Sequence, residues 1–174
     1  MVIVLYSNFF SYLADAQPIF TRNDSIPVKV NGNWLKMPWT GGHNFCQFSD
    51  IDLNFDSIKD LFVFDRTGDK ITTYLNTGTP NTVDYTFTPQ FSNFFPALQG
   101  WALLLDYNCD GKDDIFTHAS PVAGIKVYRN ESDVVSGLKF SLVTPYIKSD
   151  YGSTTTNLYV SQVDIPAIED VDND

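Results

Sequence analysis

Short apolar or alternating runs, broken by Gly, Asn, Asp and Ser, fill the chain from residue 48 onward. Residues 48–53, 61–64, 71–75 and 85–88 read as four strands of one unit, and residues 101–105, 115–118, 124–128 and 139–143 repeat them. Within 71–75, Ile71, Thr73 and Leu75 share one face while Thr72 and Tyr74 share the other. Asp65-Arg66-Thr67-Gly68 is a turn signal, and Asn31-Gly32, between 28–30 and 34–35, predicts an additional hairpin. No segment sustains a 3.6-residue apolar period over a helical length. The pattern predicts an all-β chain.

The pattern also repeats. Asp52-Leu53-Asn54-Phe55-Asp56-Ser57-Ile58-Lys59-Asp60 returns as Asp106-Tyr107-Asn108-Cys109-Asp110-Gly111-Lys112-Asp113-Asp114, an offset of 54 residues. The same offset pairs Leu61 with Ile115, Phe62 with Phe116, Ile71 with Ile125, Tyr74 with Tyr128 and Asn76 with Asn130. Asp170-Val171-Asp172-Asn173-Asp174 opens a third copy 64 residues after the second. Four short strands in about 55 residues match the size of one β-propeller blade. The expected organisation is N-terminal strands over 17–44, a first blade over 45–98, a second over 99–158 and the start of a third over 159–174.

The repeated loop has the chemistry of a calcium site. Calcium takes six to eight oxygen ligands. Asp or Asn at loop positions 1, 3 and 5 aims three side chains at one point, and an Asp at position 9 closes the shell. The ligand set is Asp52, Asn54, Asp56 and Asp60 in the first loop, and Asp106, Asn108, Asp110 and Asp114 in the second. By analogy with the EF-hand loop, the position 7 carbonyls of Ile58 and Lys112 join them. An EF-hand itself needs an acidic residue at position 12 and flanking helices; position 12 here is Val63 or Thr117, and the flanks are strand-like. Thrombospondin-type acidic repeats recur at shorter spacing and lack intervening strands.

Charge agrees with this. The net charge is −10, from 21 acidic and 11 basic residues. Removing the nine Asp residues of the repeated loop positions leaves 12 acidic against 11 basic, so the excess is confined to three short segments. An acidic chain without clustered Lys and Arg is not a nucleic-acid binder. Hydrophobic content of 43% and aromatic content of 15% place it among globular chains.

Residues 2–13 are mostly apolar and too short to span a bilayer, and Ala14-Asp15-Ala16 forms an A-x-A cleavage pattern before Gln17. Residues 1–16 are expected to be a signal peptide lacking its basic start, which would place the protein outside the cell; the alternative is a buried strand. No other run suits a transmembrane helix. Cys46 and Cys109 either bridge neighbouring units or remain two separate thiols, and no Cys/His cluster has zinc-ligand spacing. His43 and His118 lack catalytic partners, Gly41-Gly42 is a turn ahead of a strand, and Trp34, Trp39 and Trp101 are expected in cores. No catalytic constellation emerges, so the chain is not expected to be an enzyme.

The D-x-N-x-D-G-x-x-D loop followed by an apolar strand resembles the FG-GAP/VCBS repeat of integrin-α-like propellers and secreted bacterial surface proteins. The resemblance covers about residues 45–174. It implies a propeller whose loops join the first two strands of each blade and hold calcium. On that basis the eight residues above are ligands and Asp170, Asp172 and Asp174 begin a third set. Ser57 departs from the pattern, standing where the loop glycine belongs. The implied role is adhesion or recognition of an extracellular protein or glycan, or scaffolding, alongside the remaining blades of the same protein. The alternative is a non-catalytic scaffold within a larger secreted enzyme. Because the third loop stops at position 5 and propellers need four to eight blades, the chain is expected to be a piece of a longer protein.

Overall fold

The computed structural model describes residues 23–169. These residues fall into two units that divide after Trp39. The expected signal peptide and the third acidic loop, Asp170, Asp172 and Asp174, lie outside the described residues.

The first unit contains the hairpin predicted at Asn31-Gly32. Strands β1 (Lys29–Val30) and β2 (Asn33–Trp34) pair antiparallel. Asn31 and Gly32 both take positive φ, 50° and 83°, as a type I′ turn requires. Two-residue strands cannot enclose a core, so Trp34 and Trp39 are exposed and the expected core role fails for both. Lys29 Nζ sits 4.2 Å from the Trp34 ring centroid, and the Trp39 indole N–H donates to the Ile26 carbonyl at 2.7 Å.

The second unit carries two antiparallel four-stranded meanders. The first runs in order through β3 (Cys46–Ile51), β4 (Asp60–Asp65), β5 (Lys70–Asn76) and β6 (Tyr85–Phe87). A 3₁₀ turn, Pro89–Phe94, leads to the second: β7 (Ala102–Leu105), β8 (Asp114–His118), β9 (Ile125–Asn130) and β10 (Phe140–Thr144). The sequence repeat survives as hydrogen-bond register. Ile51 opposes Asp60 as Leu105 opposes Asp114, and Leu61 opposes Tyr74 as Ile115 opposes Tyr128. A two-stranded ribbon, β11 (Lys148–Asp150) with β12 (Thr155–Asn157), follows.

The main core joins the two meanders. Ile51, Leu53, Phe62 and Phe64 of the first pack with Ala102, Ile115 and Leu138 of the second, and with Phe95 and Leu98 of the connection. Phe95 stands 5.0 Å from Phe62 and 5.0 Å from Phe140, ring centre to ring centre, so one connecting residue links aromatics of both sheets. The opening strands also touch: the Ala102 N–H donates to Gln47 Oε1 at 3.0 Å, and the Leu104 N–H to Ser49 Oγ at 3.2 Å. A second cluster, Trp101, Phe116, Ile125 and Val127, covers the other face of the second meander with Ile147, Val160 and Ile168. Trp101 is fully buried there, as expected of a core Trp. Being covered on both faces, every residue of β8 is buried.

Phe62 is fully buried, whereas Phe48, on the adjacent strand, is 66% exposed. Phe62→Ala is expected to cost about 3–5 kcal/mol and Phe48→Ala no more than about 0.5 kcal/mol. Urea unfolding measures both, and equal losses would place the core elsewhere.

Candidate metal centres

Both acidic loops close the first hairpin of their meander, between β3 and β4 and between β7 and β8. Their backbone is built alike. Positions 4 and 6 take the left-handed conformation in each: Phe55 and Ser57 at φ 64° and 68°, Cys109 and Gly111 at 58° and 84°. Ser57 thus adopts the geometry its glycine counterpart takes without strain. The left-handed position 4 carries no glycine in either loop and was not foreseen from sequence.

The carboxylates organise this turn by collecting N–H donors. Asp52 Oδ1 accepts from Phe55 N at 2.7 Å and its Oδ2 from Ser57 N at 2.9 Å. Asp106 Oδ2 accepts from Gly111 N at 2.7 Å and its Oδ1 from Asp110 N at 3.1 Å. The position 7 N–H groups, of Ile58 and Lys112, donate to Asp56 Oδ1 and Asp110 Oδ1 at 2.8 and 3.0 Å. At position 3, the side-chain amides of Asn54 and Asn108 donate to Asp56 Oδ2 and Asp110 Oδ2 at 2.9 and 3.0 Å. The side chains of positions 3 and 5 therefore bond in each loop, while among the described residues the three aspartates of neither loop gather into one close cluster.

Position 9 has a second role that the motif does not reveal. Asp60 and Asp114 are buried at the base of their loops. Asp60 Oδ2 accepts from Leu53 N at 2.9 Å and its Oδ1 from Asn76 N at 2.7 Å. Asp114 repeats this with Tyr107 N at 2.9 Å and Asn130 N at 2.6 Å. One carboxylate ties the start of the loop to the far end of the meander's third strand. Asn76 and Asn130 complete the clip, their side-chain amides donating to the carbonyls of Lys59 and Asp113 at 3.1 and 3.0 Å. The 54-residue repeat already paired these two Asn residues, which is the only trace of the clip in the sequence.

The electrostatics are those of a site short of positive charge. Burial pushes the Asp60 carboxyl above its ordinary value, against the N–H donors of Asn76 and Leu53, and the charges of Asp56 and Asp52 push the same way. Burial likewise raises Asp114 against Asn130 and Tyr107, helped by Asp110 and Asp106. Among the described residues no ion pair reaches these carboxylates. Arg129 lies within range of Asp110 and Asp114, but its guanidinium is bonded to Glu131 at 2.6 Å. Lys59 and Asp113, both at position 8, pair with each other across the two loops. The cleft between the loops, about 190 Å³, is lined by Asp52, Phe55, Gly111 and Lys112 together with that pair.

The donor set fits a hard divalent cation. The Asp and Asn side chains of each loop offer oxygens, and the charges at positions 1 and 5 raise the position 9 carboxyl. Compared with family models, curated proteins and solved structures, the chain gives no match.

Elsewhere, no disulfide joins Cys46 and Cys109. Cys46 opens β3 and Cys109 occupies the left-handed position 4 of the second loop. Sequence reasoning found no zinc-type cluster, yet the fold brings His43, Cys46 and Asp65 together, their ligand atoms all within 4.8 Å of one another. The only sequence signal is the His43-x-x-Cys46 spacing; Asp65 arrives through strand pairing, since Cys46 opposes it in the β3–β4 register.

The clip separates two roles that the motif merges. In chelator, Asp60→Ala is expected to destabilise the fold by about 1–3 kcal/mol for each N–H it orphans. Asp56→Ala, at an exposed loop position, should cost far less without metal. Chemical denaturation of the two variants in chelator checks this, and similar losses would remove the structural role of position 9.

Proposed function

We propose that this chain is a calcium-binding module of an extracellular β-propeller, serving adhesion, recognition or scaffolding rather than catalysis. The observation that carries the proposal is the duplication of one loop architecture. Two Asp-x-Asn-x-Asp loops close the first hairpins of two successive meanders, with matching carboxylate–amide bonds and matching buried position 9 aspartates. Asp52, Asn54, Asp56 and Asp60 would hold one ion and Asp106, Asn108, Asp110 and Asp114 another, with the carbonyls of Ile58 and Lys112 as further donors. Calcium would supply the positive charge that, among the described residues, no Lys or Arg ion pair brings to positions 1, 5 and 9.

Face-to-face packing of consecutive meanders supports the propeller. So does the packing of Val160 and Ile168, which precede the third acidic segment, on the far face of the second meander. An extracellular protein or glycan is the proposed partner class, with further blades of the same protein completing the ring.

Calcium is expected to raise the melting temperature. At ten times the dissociation constant each site adds about 1.4 kcal/mol. Thermal melting in calcium against chelator is the test, and an unchanged midpoint would reject the metal assignment. The second loop should also bind more tightly than the first. Ser57 bears the left-handed conformation at a cost of about 1 kcal/mol that Gly111 avoids. Ser57→Gly should therefore strengthen the first site several-fold. Calcium titrations of Asp56→Ala and Asp110→Ala isolate the two loops, and equal residual affinities would contradict the difference.

A further inference from the structure

We propose that His43, Cys46 and Asp65 form a separate site for a borderline divalent ion of the zinc class, at the end of the first hairpin opposite the calcium loop. The three side chains come from the segment before β3, from the first residue of β3 and from the last residue of β4. They offer one imidazole nitrogen, one thiolate sulfur and one carboxylate oxygen. That is a three-ligand set of the sort zinc uses when its fourth position stays open to water. A thiolate in the set argues against calcium, which takes oxygen ligands.

The distances are within reach of closure. A tetrahedral ion with bonds of about 2.0–2.3 Å holds its donors roughly 3.3–3.8 Å apart. The three ligand atoms lie within 4.8 Å of one another, and His43 is exposed on a loop whose small movement closes the difference.

The surroundings orient the ligands, and this is an observation independent of the cluster itself. His43 Nε2 lies 3.0 Å from Tyr74 Oη, and that hydroxyl donates to the Thr40 carbonyl at 3.4 Å. In the tautomer that carries its proton on Nε2 and donates it to this hydroxyl, the Nδ1 lone pair is left for a metal. Metal-bound histidines use their second ring nitrogen in this way. Asp65 is held as firmly. Its Oδ1 accepts from Thr67 N at 3.0 Å and Phe45 N at 3.3 Å, while its Oδ2 accepts from Asn44 N at 3.0 Å. On binding, the Cys46 thiol gives its proton to solvent as the metal–sulfur bond forms.

Cobalt(II) titration of the reduced, metal-free full-length chain tests the site, because a cobalt–thiolate bond produces a near-ultraviolet charge-transfer band. A stoichiometric band is expected, bleached by zinc and unaffected by excess calcium. Cys46→Ser should abolish it and Cys109→Ser should leave it. His43→Gln should weaken cobalt binding at least tenfold, and Tyr74→Phe by about tenfold through loss of the orienting hydroxyl. Asp65 is left intact because it satisfies three backbone N–H groups. Thermal melts in chelator confirm that each variant is folded. Absence of the band, its survival in Cys46→Ser, its loss in Cys109→Ser, or an unchanged affinity in His43→Gln would each overturn the proposal. None of these results depends on calcium binding by the acidic loops.

Discussion

A buried aspartate at the base of each acidic loop is the constraint on which the rest of the second unit depends. Asp60 and Asp114 sit where burial disfavours their charge, yet each satisfies one N–H at the start of its loop and one at the end of the third strand. An N–H left unsatisfied in such a place costs more than an ordinary hydrogen bond is worth. The carboxylate therefore locks the loop to the sheet. The loop geometry and the sheet geometry are set by the same residue.

The two meanders are then held together by apolar packing. Aromatic rings supply the contact: Phe62 from one sheet and Phe140 from the other meet Phe95 of the connecting segment. The Gln47 and Ser49 side chains add direct polar links between the opening strands, satisfying N–H groups on the outer edge of β7. An edge strand left with open N–H groups invites pairing with another chain, so these bonds fix the neighbour and close part of the edge.

The β3–β4 hairpin separates two different sets of polar side chains. The acidic loop closes one end, and His43, Cys46 and Asp65 gather at the other. With a rise of about 3.3 Å per residue, the two ends stand roughly 17 Å apart. Asp52, Asp56 and Asp60 present only oxygens, while the opposite end mixes nitrogen, sulfur and oxygen. Ligand type, more than raw affinity, would keep ions at two such ends distinct.

Much of the strand order was legible because the relevant physics is local and repeated. Alternating side chains, Asn31-Gly32 and the 54-residue register each act over a few residues, and the register reappears in the ladder from Ile51↔Asp60 to Leu105↔Asp114. Other features belonged to the tertiary structure. Trp101 is buried while Trp34 is exposed, because only the former lies on a sheet with something packed over it. Asp60 reaches Asn76 because β5 returns beside β4, 16 residues later in the chain. His43, Cys46 and Asp65 meet because strand pairing carries Asp65 back across the hairpin, a distance in sequence that no motif spacing encodes. Composition and spacing determined which residues were suited to bind a cation; pairing between strands decided which of them share a site, because partners distant in sequence become neighbours only through the ladder.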